Sequence, residues 1–197
     1  AKLMAIVAEG KKGRVYLSPT EEMEEIAQSA QSEWQPETTL PGNPRWFSPP
    51  LYGMQTYGSL FTPRQLLALT TFSDLIDAAR TKIAADYRAA HPASADDDTP
   101  LAAGGNGAQA YADAVAVYLA LGVGRSANYW SSLTPWGGDF IVQTFGRQAI
   151  PMVWDYAEAN PLSKSSGSFI TIIQGISKAM EAPFFGVSSS TNNSVSP

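Results

Sequence analysis

Between Trp34 and Phe61 the chain places prolines at positions 36, 41, 44, 49 and 50 and glycines at 42, 53 and 58. Trp34, Trp46, Phe47, Tyr52, Tyr57 and Phe61 lie among them. Proline lacks a backbone donor and fixes φ, so no long helix runs through this stretch. Rings at that density are costly to leave in water. The expectation is an ordered loop, residues 34–61, pinned by its aromatic side chains over a folded body. Such a loop needs a body to wrap, and the rest of the sequence supplies one.

Thr62-Pro63-Arg64-Gln65 combines an N-cap threonine, proline at the first helical position and glutamine at the third, which opens a helix. Leu69, Phe72, Ile76, Ala79, Ile83 and Tyr87 then keep helical spacing to about residue 90. A second helix, about 108–130, carries Tyr111, Val115, Tyr118, Leu119 and Gly122 on one face. Gly122 and Gly124 weaken its last turns by up to about 1 kcal/mol each, a cost that points to another helix approaching closely there. Ser131 to Gly138 reads as a turn. Further helices are expected at about 141–149 and 168–181, the latter turning Phe169, Ile172, Ile173, Ile176 and Met180 inward. Near the start, Ser18-Pro19-Thr20-Glu21 reads as a capping box with Ser18 as N-cap, beginning a short helix to about Ala30. Residues 3–17 read as a β-hairpin, Leu3–Ala8 against Arg14–Leu17 around Glu9-Gly10-Lys11-Lys12-Gly13. A lone hairpin is marginal and wants a partner. The fold class expected is mainly α: one helical domain over residues 1–186 with a small N-terminal hairpin, a mobile loop at 92–106 and a frayed tail at 187–197.

Charge and composition narrow the function. The net charge is −5, so attraction for phosphates would need a local cluster of Lys and Arg rather than the overall field. Charged residues form 16% of the chain, below the roughly 25% of an ordinary domain. The absence of cysteine removes disulfides and thiolate zinc sites. No apolar run approaches the ~20 residues of a bilayer span and no signal peptide opens the chain, so a cytoplasmic protein is expected. The start at Ala1, straight into an apolar run, reads as a segment of something longer.

Chemistry-bearing constellations are sparse. His91 is the one histidine and sits beside a proline at a helix end, where it reads as a residue with no chemical role rather than as the base of a triad. Asp155 and Glu158 would share a face if helical, either as acid and base or as a solvated or Arg147-paired face. Asp96-Asp97-Asp98 lacks the spaced ligands of a calcium loop. Gly104-Gly105-Asn106-Gly107 follows an acidic stretch rather than a strand, so it fails the context of a nucleotide-cradling loop. Arg14, Arg45, Arg64, Arg125 and Arg147, with Trp46 and other rings nearby, are able to contact phosphates and stack on bases. No catalytic, cofactor or metal residue is assigned.

The stretches GRVYLSPTEEMEEIA, YGSLFTPRQLLALTTFSDLI, AYADAVAVYLALGVGR and TFGRQAIPMVWDYAEANPLSKSSGSF resemble, in order, an internal region of the large prokaryotic adenine-specific DNA methylases. Those proteins carry a zinc-ribbon-like insert and an N-terminal domain of unknown function. Ser131 to Phe140 departs from the family pattern. The resemblance implies that a glycine-rich loop for S-adenosylmethionine and the zinc ribbon lie upstream and an Asp-Pro-Pro-Tyr loop downstream. This chain would then be the insert between them, engaging the DNA target or bracing the two halves, with S-adenosylmethionine and zinc belonging to the parent. Asn160-Pro161 lacks the second proline and the ring of the catalytic loop, so no catalytic role passes to Asn160. Arg64, Arg147 and Trp46 are the DNA-contact candidates, chosen because they sit among turns and aromatics. The partners expected are DNA and the flanking methylase segments. A protein-interaction module without DNA contact is the alternative.

Overall fold

The computed structural model describes residues 2–92 and 98–181. Among them are four α-helices and a two-stranded antiparallel hairpin, so the fold is mainly α. The hairpin pairs β1 (Ile6–Gly10) with β2 (Gly13–Leu17), in the register Ile6 to Leu17 and Ala8 to Val15. Its turn is tighter than the sequence reading, because Glu9, Gly10 and Gly13 belong to the strands. Lys11 and Lys12 make the turn, and Gly13 takes φ +122. Every residue of β2 is exposed. The hairpin is held to the body by Arg14, which lies over the Trp136 ring at 5.4 Å and donates to the Asp139 carbonyl.

Helix α1 (Glu21–Ser29) is capped by Thr20, whose hydroxyl accepts from the Met23 amide at 3.3 Å. Ser18 is therefore not the cap. Both residues carry a suitable hydroxyl, and the chain uses the one directly before the first helical residue, with Glu21, Glu22 and Glu24 at the positive end of the helix dipole.

Helix α2 (Pro63–Ala90) forms the expected capping box: the Thr62 hydroxyl accepts from the Gln65 amide and Gln65 Oε1 accepts from the Thr62 amide at 2.8 Å. Its stripe from Leu69 to Tyr87 is partly buried throughout, as the spacing predicts. Against it pack α3 (Ala108–Ser126) and, beyond α3, α4 (Phe169–Glu181). The expected face of α3 is borne out in part: Gly122 is buried and Val115 and Leu119 are half-buried, but the two tyrosines are not turned inward. Ala108, Ala112, Ala116, Gly122 and Ser126 are buried, while Tyr111 is 51% and Tyr118 39% exposed. Small residues take the contact because α2 and α4 both press on this helix. The close approach expected at Gly122 is present: a Cβ there would overlap Ile173 Cδ1 of α4. On α4 Ile172 is buried, whereas Met180 points outward at 50% exposure.

The expected helix at 141–149 does not form. Thr144 donates its amide to Asn128 O at 2.9 Å, Phe145 to Asn128 Oδ1 at 2.7 Å and Ile150 to Trp46 O at 2.8 Å. Its donors are thus committed to distant partners rather than to a helical ladder. Within this irregular region the Ser131, Thr134 and Thr144 hydroxyls form a closed, buried triangle, with oxygens 2.6–3.2 Å apart.

The Pro-rich loop is ordered. It closes on itself through Leu40 N to Gln55 O and Tyr57 N to Thr38 O, both 2.9 Å. Leu40 and Leu60 then join Leu133 and Ile150 in a core ringed by Phe47, Tyr57, Phe61 and Phe145. Trp34, Trp46 and Tyr52 stay exposed, so only half of its rings pin it. Trp130 joins this core to the helices: fully buried, it donates Nε1–H to Gly167 O at 2.7 Å and meets Phe72, which in turn packs on Phe169. In the described part of the expected mobile loop, Leu101 N donates to Asp113 Oδ2 at 3.0 Å. The expected frayed tail at 187–197 lies outside the described residues.

Candidate nucleic-acid interface

Two stretches that lack a helical ladder run side by side. Ile150 N donates to Trp46 O, Ser48 N to Ile150 O at 3.2 Å and Met152 N to Ser48 Oγ at 2.8 Å, a short parallel pairing of 46–48 with 150–152. Two of the three candidate contacts, Trp46 and Arg147, belong to this pairing or its approach. Trp46 is 48% exposed, and the Arg45 guanidinium lies 5.2 Å from its ring centroid. Arg147, three residues before Ile150, is exposed and forms no ion pair among the described residues. At the far end, Pro49–Tyr52 turns the chain and presents Tyr52 edge-to-face against Trp154, with ring centroids 4.9 Å apart and planes at 81°. Tyr52 is 53% and Trp154 70% exposed.

Arg64 is placed elsewhere. In the first turn of α2, it clasps Glu158 through Nε and Nη2, each 2.5 Å from a carboxylate oxygen. This fork geometry is the strong form of an arginine–carboxylate pair. The hydrogen bond with Glu158 holds the Arg64 guanidinium above its ordinary pKa, against the opposing effect of burial. Tyr156 stands beside the pair; burial first, then the Glu158 charge, pushes its phenol upward, so it stays neutral at physiological pH.

The acid–base reading of Asp155 and Glu158 loses its geometry, because residues 154–160 contain no helix and Glu158 is paired. Glu158 pairs with Arg64, not with Arg147. Asn160 builds a turn: its Oδ1 accepts from Leu162 N at 3.0 Å and its carbonyl from Ser163 N at 3.2 Å. His91 stacks on Tyr87 at 4.3 Å at the end of α2. Among the described residues no group of His, Cys, Asp or Glu is placed to hold a metal ion. No described helix is long and apolar enough to cross a membrane. A hollow of about 260 Å³ is lined by Arg125, Tyr129 and Thr171 among others, and none of Arg64, Arg147 or Trp46 borders it.

The sequence signal for Trp46 and Arg147 was their setting among turns. The Tyr52–Trp154 pair was missed, since rings separated by a hundred residues carry no mutual local pattern. No protein-family model, curated protein or solved structure matches this chain.

Proposed function

We propose that the chain is the helical insert of an S-adenosylmethionine-dependent adenine-specific DNA methyltransferase, engaging the DNA target or bracing the cofactor and catalytic halves in the cytoplasm. In this reading the methyl donor and any zinc are held by the parent's other segments, and the partners are DNA and those flanking segments. The observation that supports it most is how the stretches bearing the resemblance meet. The second supplies the first half of α2 and the third most of α3, two helices that pack on each other, and the second and fourth are joined by the Arg64–Glu158 pair. Segments distant along the sequence thus support one another, as a brace requires.

The test is binding of this chain to duplex and single-stranded DNA at ~50 and ~200 mM salt, where phosphate contacts impose a loss of roughly tenfold or more. Absence of binding at the lower salt removes target engagement.

The alternative, a protein-interaction module, draws on the hairpin and α1. Met4 is 77%, Tyr16 62% and Ile26 65% exposed, on elements with little of the body behind them. Exposed apolar surface of this kind marks association sites. The same titration separates the readings, because a salt-dependent DNA complex is foreign to the second.

A further inference from the structure

In a chain of net charge −5, the paired edge is locally basic. Residues 38–73 contain no carboxylate, and neither do residues 140–154. Arg45 and Arg147 are the charges these two stretches bring to the edge, and Asp155 closes it on one side. Along the same edge stand Trp46, Tyr52 and Trp154, all substantially exposed. An edge-to-face contact covers at most one face of one ring, so the Tyr52–Trp154 pair keeps ring faces open.

We propose that the edge formed by Arg45–Tyr52 and Arg147–Trp154 is a binding surface for unpaired DNA, the rings stacking on bases and the two arginines meeting phosphates. This rests on the target-engagement reading and specifies its ligand. Open ring faces stack on bases freed from their neighbours, whereas duplex bases are already stacked on each other; base–aromatic stacking with a basic track is the common design of single-strand binders. Arg64, clasped by Glu158, is not part of the surface.

The experiment is titration of a fluorescein-labelled dT20 oligonucleotide and of a 20-base-pair duplex with the full chain at ~50 mM salt, followed by anisotropy. The single strand is expected to bind more tightly. Trp154→Ala and Trp46→Ala should each weaken it by roughly 5- to 100-fold, the worth of one stacked base. Trp154→Phe should retain most of the affinity. Arg45→Ala and Arg147→Ala should each lower the slope of log K against log salt by about 0.7. These side chains are exposed, and unchanged circular dichroism establishes that the variants fold. Duplex binding as tight as single-strand binding, or a Trp154→Ala variant with unchanged dT20 affinity, overturns the platform and leaves target engagement standing. Binding of neither DNA removes both. Capture of a proline-rich peptide by the same rings, with dT20 unbound, also overturns it.

Discussion

Gly122 of α3 faces Ile173 of α4 with no room between them for a side chain, since a Cβ built on Gly122 would overlap Ile173 Cδ1. Gly124, two residues on and round to the far side of the same helix, has nothing within 4 Å of its would-be Cβ. Identical chemistry thus has opposite consequences at the two sites. Gly122→Ala should cost about 1–3 kcal/mol through overpacking, offset in part by alanine's better helix propensity. Gly124→Ala should stabilise by up to about 1 kcal/mol. Urea unfolding monitored by circular dichroism reads both, and a stabilised Gly122→Ala would show that α4 yields easily.

Arg64 and Glu158 join the start of α2 to the stretch beyond Trp154, with side chains 33% and 26% exposed. Their forked pair should show a coupling energy of about 1 kcal/mol in a double-mutant cycle of Arg64→Ala and Glu158→Ala. A coupling within about 0.3 kcal/mol of zero would place the pair among surface contacts that add nothing measurable.

Trp130→Phe keeps the ring in the core but withdraws the donor from Gly167 O. Leaving that carbonyl without its partner should cost about 1–3 kcal/mol, seen as a lower urea midpoint. If the midpoint is unchanged, water or a shifted donor replaces the indole.

Asp113 gathers Leu101 N, Arg80 and Gln109 Nε2 around its carboxylate. The Leu101 amide foremost, with Arg80 and Gln109, holds its pKa below the ordinary value. The native state therefore binds fewer protons than the unfolded chain near and below pH ~4, and stability falls as pH drops through that range. The stability gap between wild type and Asp113→Asn should be constant from pH ~5 to ~7 and shrink below pH ~4. A gap that does not vary with pH would mean that the carboxylate titrates normally.

The helices at 63–90, 108–126 and 169–181 were legible because capping residues and apolar spacing are local signals. Position 122 was legible too, since glycine in a helix has a cost that only a close neighbour repays. The stretch 141–149 was not. Its amides find Asn128 and Trp46, partners that no window of neighbouring residues reveals. On α3 the inward side of Val115, Leu119 and Gly122 was legible, but Tyr111 and Tyr118 stay exposed and alanines share the buried face instead, because a helix flanked on two sides admits small side chains best. Of the three candidate residues, Trp46 lies on the pairing with 150–152 and Arg147 stands three residues before it. The pairing of Arg64 with Glu158, 94 residues away, was beyond any local pattern.

One tryptophan of the five is sealed in the interior, Trp130 at 1% exposure, while Trp34, Trp46, Trp136 and Trp154 range from 37% to 70%. The protein's intrinsic fluorescence thus divides into a shielded, short-wavelength indole and four that acrylamide can reach. Occupation of the surface would dim only the quenchable emission, and loosening of the interior would redshift only the shielded part, so a single spectrum tells the two events apart.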